Sequence, residues 1–370
     1  MIRILSILGT RPEAIKMAPL LRELARREDF RSLLCVTGQH RELLRQALDA
    51  FELSPDRDLA LMTPGQDPGC FLGAALPALQ EVVRETAPDL VLVHGDTVST
   101  LAGALAGFFC RVPVGHVEAG LRSGDTARPF PEEMSRRLVD ALSALHFAPT
   151  APSSLNLLRE GLRPEGIFVT GNTVVDALAL TVRPDFGHPA LDWARGGGRF
   201  VLLTAHRRES WGEPLRQIFR AVRRAAEEFD ELRVLCCAHP NPAVRGEAEA
   251  ILGPCPRVKL LEPPDVLVFH NLLARAALVL TDSGGVQEEA CALGVPTLVL
   301  RERTERPEGV EAGTLRLAGI EEEGVYTELC RLLRDETALA AMRGAPNPYG
   351  DGQASRRIAE AIAGWRRDRA

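Results

Sequence analysis

Residues Leu280 to Leu300 read LTDSGGVQEEACALGVPTLVL. The apolar run up to Thr281 predicts a strand, Ser283, Gly284 and Gly285 a tight turn, Val286–Leu293 a helix, and Thr297–Leu300 a second strand. A parallel strand that enters a helix through glycines directs free N–H groups and the positive end of the helix dipole into a crevice. Glycine there lets a phosphate approach the backbone. Glu288 and Glu289, expected in the first helical turn, could accept hydrogen bonds from a diol such as a ribose. Taken alone the pattern is weak, because Gly-Gly at such a turn is often only a turn.

The same alternation runs outward in both directions. Strands are expected at Ile2–Leu8, Ser32–Thr37, Leu90–His94, Val112–Glu118, Leu145–Ala148 and Ile167–Thr170, with amphipathic helices between them. Residues 183–199 hold two prolines and four glycines and read as a linker or hinge. A second series follows, with strands at Phe200–Thr204, Arg233–Ala238, Val258–Leu260 and Leu278–Thr281. This predicts an α/β protein of two Rossmann-like, doubly wound parallel-sheet domains facing across a cleft, the GT-B architecture. The expected division is 1–182, then 183–352 as the nucleotide-binding half, then an arginine-rich helix over 353–370 packing back on the first domain.

Composition fits that picture. A chain of 370 residues exceeds a typical single core, and 45% hydrophobic with 25% charged residues is ordinary for a globular protein. A net charge of −6 argues against a nucleic-acid surface. No basic leader precedes the apolar N-terminus, and no apolar run is long enough to span a bilayer. The eight cysteines form no Cys-x-x-Cys pair and several sit in apolar runs, so neither zinc nor disulfides are expected and the reducing cytoplasm is the expected compartment. Of 44 basic residues only Lys16 and Lys259 are lysine, which draws attention to Lys16 as a site for a compact point charge.

Ionisable residues gather just beyond the strand ends, where an open α/β sheet places ligand contacts. They include Arg11, Glu13 and Lys16 after the first strand, and Gln39, His40, Arg41 and Glu42 after the second. His94 and Asp96, then Glu118 and Arg122, follow the next two. Glu132, Glu133, Arg136 and Arg137 open a helix. His206, Arg207 and His239 follow strands of the second half. Each has a bland alternative. Asp96 could be a helix N-cap, His40 a turn residue, and the paired glutamates a complement to a helix dipole, the favoured reading for Glu133. Arg137 reads as part of a solvated face. The bland readings fail together, because every strand end carries such groups.

The segments GTRPEAIKMAPL, TGQHREL, VHGDTVST, GHVEAGLRSGD, PFPEE, FAPT, GNTVVDAL, TAHRRES, HPNP, DSGGVQEEACALGVPTLVLRERTERPE and EAGT occur in that order. Together they closely resemble the non-hydrolysing UDP-N-acetylglucosamine 2-epimerases, from about residue 3 to about residue 320. The resemblance implies the GT-B fold and reversible conversion of UDP-GlcNAc into UDP-ManNAc. In that chemistry UDP leaves carbon 1, a 2-acetamidoglucal forms, and UDP adds back, with no metal, hydride carrier or other cofactor. It implies catalytic roles for Asp96, Glu118, Glu132 and His206. It implies UDP contacts from Arg11, Lys16, Ser283, Gly284, Gly285 and Arg306, a ribose contact from Glu289, and approach of Arg136 to the substrate. It further implies a homodimer, a place in glycan biosynthesis, and a second UDP-GlcNAc bound as an activator near Gln39, Arg207 and His239. Ser135 and Ser210 depart from the family pattern, each standing where asparagine is usual. A hydrolysing epimerase releasing ManNAc, a GT-B glycosyltransferase and a silent UDP-sugar sensor are the alternatives.

Overall fold

The computed structural model describes residues 1–38, 41–63, 65–127, 129–207 and 210–367, and within these the side chains of residues 41, 42, 366 and 367 are left aside. The chain forms two compact units, one of residues 1–180 and 349–370 and one of residues 181–348.

The first unit runs β1 (Ile2–Leu8), α1 (Arg11–Arg26), β2 (Phe30–Val36), α2 (Arg41–Ala50), β3 (Arg57–Asp58), α3 (Pro68–Thr86), β4 (Leu90–His94), α4 (Val98–Phe109), β5 (Val114–Val117), α5 (Glu132–Leu142), β6 (Leu145–Ala148), α6 (Ala151–Arg159), β7 (Ile167–Val169) and α7 (Thr173–Thr181). Its seven strands lie in the order β3-β2-β1-β4-β5-β6-β7 and every pairing is parallel. Strand β4, LVLVH, is buried along its whole length, as a parallel strand covered by helices on both faces must be. Order reverses between β1 and β4, and this switch point is where an open sheet leaves a crevice at its C-terminal edge. Thr10 N-caps α1, and Glu13 reaches back to accept the Thr10 N–H at 2.6 Å, the reciprocal half of a capping box.

The second unit runs α8 (Pro189–Arg195), β8 (Arg199–Thr204), α9 (Glu213–Glu228), β9 (Leu232–Cys237), α10 (Pro242–Ile251), β10 (Val258–Leu261), α11 (Val266–Leu273), β11 (Leu278–Thr281), α12 (Gly284–Ala292), β12 (Thr297–Val299), α13 (Pro307–Ala312), β13 (Leu315–Leu317), α14 (Glu322–Arg334) and α15 (Glu336–Arg343). Its parallel sheet has the order β10-β9-β8-β11-β12-β13, with the switch point between β8 and β11. Side chains alternate across these strands. Val201, Leu203, Leu278 and Leu280 pack with Leu215, Ile218, Phe219 and Val222 of α9, while Leu202 and Val279 face Leu191 of α8 and Leu272 of α11. The last helix, α16 (Ala354–Arg367), belongs to the first unit and lies against α1.

Four stretches differ from the sequence reading, among them residues 301–352, to which it assigns no element and which hold α13, β13, α14 and α15. Residues 183–199, expected as a linker, contain α8, whose Ala190, Leu191 and Ala194 are core residues. Its Pro189 sits at the first turn and Gly196 at the C-cap, so the punctuation taken for a linker marks the ends of a helix. Between Thr37 and Leu90 the sequence reading assigned nothing, yet α2, β3 and α3 lie there. Pro77 and two glycines inside α3 interrupt its helical signal. Helix α12 begins at Gly284 rather than Val286, with Ser283 as N-cap, so Glu288 and Glu289 lie in its second turn.

Candidate active site

At the switch point of the first sheet the ends of β1, β4 and β5 bring a set of charges together. Glu118 follows β5 with φ of 69°, a left-handed conformation uncommon outside glycine and costly unless its surroundings hold it. Its Oε2 pairs with Lys16 Nζ from α1 and accepts the Asn172 amide N–H at 2.9 Å. His94, at the end of β4, places Nε2 at 3.9 Å from the same oxygen. Neither ring nitrogen of His94 has a hydrogen-bond partner among the described residues. Burial drives its pKa down, Glu118 opposes and Lys16 adds to the fall, and the result is about 4. His94 is therefore a neutral imidazole beside a charged pair.

Two residues on, Asp96 pairs with Nη2 of Arg136 from α5. Arg136 also reaches Glu133 Oε2 at 3.3 Å. The Glu133 carboxylate is completely buried, accepting from the Ser123 N–H at 2.9 Å and from Arg137 Nε at 3.1 Å. The dipole reading of Glu133 is therefore incomplete: it ties the 121–125 loop to α5, and Arg137 serves that tie instead of a purely solvated face. Glu132 carries a buried Oε2 with no partner among the described residues. Glu13 is buried under four hydrogen bonds, from the N–H groups of Gly9 and Thr10 and the hydroxyls of Thr97 and Thr100, and burial raises its pKa despite them.

Behind these carboxylates lies a second buried set. His116 places Nδ1 at 2.6 Å from Asp140 Oδ1 and Nε2 at 2.7 Å from the Gly95 carbonyl. Asp140 Oδ2 also receives Arg122 Nη2 at 2.7 Å and the Gly120 N–H at 3.3 Å. Burial alone would raise the Asp140 pKa, but His116 and Arg122 outweigh it and hold the carboxyl below its usual range. The set thus grips the turns that carry Asp96 and Glu118. Gly120 has φ of 82°, and a Cβ there would stand 2.2 Å from the Ser153 carbonyl oxygen, so only glycine fits.

In the second unit the switch point carries another cluster. Asp282, directly after β11 and fully buried, accepts the N–H groups of His206 and Arg207 through Oδ2, both at 2.8 Å. The His206 ring stacks on His239 with centroids 5.2 Å apart, and the Trp211 indole N–H donates to the His206 carbonyl at 3.1 Å. Ser283 donates its N–H to Thr281 Oγ1 at 3.0 Å and starts α12. A Cβ at Gly284 would lie 3.3 Å from Glu305 Oε1 and 3.4 Å from Arg306 Cζ, whereas one at Gly285 would meet nothing within 4 Å. Arg306 is held by Glu288 at 2.5 Å. Glu305 receives Arg207 at 3.1 Å and Arg301 at 2.5 Å; against the upward push of burial, Arg306, Arg207 and Arg301 bring its pKa to about 2. Glu289 places Oε1 at 3.5 Å from His270 Nε2, and its other oxygen is buried without a partner among the described residues.

Most residues named from the sequence thus fall into two groups at strand C-termini. In the first unit Lys16 pairs with Glu118 and Asp96 with Arg136; Arg11 opens α1 and Glu132 opens α5. His206, Arg207 and His239 are linked in the second, as are Ser283, Gly284 and Arg306 around the start of α12. Lys16, expected among the diphosphate contacts, is engaged by Glu118. Gln39, His40, Arg208 and Glu209 lie outside the described residues, as do the side chains of Arg41 and Glu42. Asn172, Asp282, Glu305, His116 and Asp140 were not singled out. Asn172, Asp282, Glu305 and His116 sit inside quoted motifs, Asp282 directly after β11; Asp140 lies in the last turn of α5 with no local signal.

The family model described as UDP-N-acetylglucosamine 2-epimerase matches residues 22–363. UDP-N-acetylglucosamine 2-epimerase of Bacillus subtilis (strain 168) is 51% identical over 361 residues, covering 98% of this chain and 95% of its own. Among solved structures, an S. aureus MnaA–UDP co-structure superposes with a TM-score of 0.94 at 47% identity, covering 99% and 97% of the two chains. UDP-GlcNAc 2-epimerase from Neisseria meningitidis bound to UDP-GlcNAc superposes with a TM-score of 0.93 at 40% identity, covering 98% and 100%. Matches of this extent to both halves, with two parallel Rossmann-like sheets of the GT-B class, leave one conclusion: the chain belongs to the UDP-N-acetylglucosamine 2-epimerase family.

Proposed function

We propose that the protein interconverts UDP-GlcNAc and UDP-ManNAc without hydrolysing them. The carbon 2 hydrogen is not beside a carbonyl and is barely acidic. Loss of UDP from carbon 1, with the C–O electron pair leaving on the phosphate oxygen, builds cationic character next to it and makes it removable. A carboxylate takes that proton, the C–H pair becomes the carbon 1–carbon 2 double bond, and a 2-acetamidoglucal results. Proton delivery to the opposite face and readdition of UDP complete the epimerisation. Asp96, Glu118 and Glu132 supply the carboxylates.

The observation that carries this reading is Glu118, held in a left-handed backbone conformation by Lys16 and Asn172 beside the neutral His94. Arg136 directs Asp96 toward the sugar. The amides at Ser283–Gly285, with Arg11 and Arg306, receive the diphosphate and stabilise charge as it departs. Glu289 takes the ribose, and His206 acts at the diphosphate end. Relatives crystallised with UDP and with UDP-GlcNAc support this substrate class. A second UDP-GlcNAc would activate the enzyme through Gln39, Arg207 and His239, in a cytoplasmic homodimer that feeds glycan assembly.

Proton NMR of UDP-GlcNAc with the enzyme in heavy water tests the proposal. The expected result is UDP-ManNAc carrying deuterium at carbon 2. Free ManNAc would assign the hydrolysing reaction instead, and an unchanged spectrum would reject epimerisation of this sugar nucleotide.

A further inference from the structure

We infer that Asp282 is a positioning residue for His206, fixing its backbone with one carboxylate oxygen and reserving the other for the imidazole Nδ1–H. The inference rests on the reading of His206 as a catalytic group. Asp282 directly follows β11, which lies beside β8, so the sheet brings its side chain under the residues that follow Thr204. Oδ2 accepts both backbone N–H groups of His206 and Arg207. Oδ1 has no hydrogen-bond partner among the described residues, although the residue is fully buried, and it lies 3.8 Å from His206 Nδ1.

A buried carboxylate oxygen left unpaired is expensive, and the backbone contacts do not require it. An asparagine carbonyl would accept the same two N–H groups. What only the carboxylate offers is a second acceptor, 3.8 Å from the imidazole and about 0.6 Å beyond hydrogen-bond range. The remaining contacts keep that ring in place: His239 covers one face and Trp211 holds the main-chain carbonyl. With Nδ1–H turned toward Asp282, the other ring nitrogen presents its lone pair away from the aspartate. Any positive charge the imidazole acquires is balanced by the carboxylate beneath it. Removing the negative charge while keeping the shape therefore reverses the imidazole tautomer and leaves the backbone grip intact.

The test is Asp282→Asn, with kcat and KM for UDP-GlcNAc read by NMR and UDP affinity by calorimetry. The expected result is a fall in kcat of about 10²-fold or more, with KM and UDP affinity within about threefold of wild type. In a His206→Asn background the same substitution adds nothing further. Wild-type turnover in Asp282→Asn, with His206→Asn inactive, would overturn the inference while leaving the role of His206 standing. Near-normal turnover in His206→Asn alone would instead remove His206 from the chemistry and the inference with it. Should Asp282→Asn fail to fold, nitrogen-15 spectra of histidine in the wild-type protein decide: an Nδ1–H tautomer or an imidazolium at His206 supports the assignment, and an Nε2–H tautomer overturns it.

Discussion

His94 offers a direct test of the electrostatics of the first cluster. It is buried, makes no hydrogen bond among the described residues, and has its pKa lowered from 6.5 to about 4, chiefly by burial. A folded-state pKa below the unfolded value means that the unfolded chain takes up a proton first as pH falls. The neutral imidazole therefore contributes its full stability above pH 6.5, and that contribution is lost progressively down to about pH 4. With these two pKa values the loss between pH 7.5 and pH 5 is about 2 kcal/mol. His94→Leu removes the titration and sacrifices no hydrogen bond. The stability of the variant relative to wild type should therefore rise by about 2 kcal/mol over that interval, or about 4–8 °C in the melting temperature of a unit of this size. Urea denaturation of both proteins at pH 7.5, 6 and 5 measures this. Groups that do not interact with His94 titrate equally in the two and cancel, so the pH dependence of the difference reports on His94 and the charges facing it. A wild-type and variant difference that stays constant with pH would refute the assignment of a buried neutral imidazole.

Three further outcomes are expected. Asp96→Asn and Glu118→Gln should each lower turnover by at least about 10²-fold while UDP affinity, read by calorimetry, stays near wild type; near-normal turnover in both would defeat the proposed chemistry. Gly120→Ala places a methyl group 2.2 Å from the Ser153 carbonyl in a left-handed backbone, so it should cost about 3 kcal/mol or more in denaturant unfolding. An unchanged midpoint would show that the 118–120 turn is not held as described. Arg306→Ala takes from the buried Glu288 carboxylate the guanidinium that pairs with it, which should destabilise the protein by about 3–5 kcal/mol and weaken UDP binding together; Glu288→Gln, which keeps Arg306 near Glu305 at 3.8 Å, should be milder on stability.

The placement of much of the candidate site was legible because parallel strands buried on both faces appear as apolar runs, and whatever polar residue ends such a run must lie at the C-terminal edge of a sheet. His94, Asp96, Glu118, His206 and the Ser283–Gly285 turn follow from that rule and local chemistry alone. The elements that were missed or misread have local causes too. Pro77 interrupts the signal of α3, and the proline and glycines around α8 mimic a linker while serving as its caps.

What the sequence by itself determined was the α/β class, two Rossmann-like series, and a roster of ionisable residues at strand ends. Which of them meet was decided by the order of strands, since residues far apart in the chain become neighbours only when their strands do. Lys16 reaches Glu118 across 102 positions, and Asp282 reaches His206 across 76, because β1, β4 and β5 lie side by side in one sheet and β8 lies beside β11 in the other. The same packing buries Glu133 and Asp140 on α5, where helix position alone suggests a solvated face. Burial then sets protonation: the apolar run Leu90–Val93 announces a buried strand, but His94 is neutral because the helices and strands packed over it remove it from water.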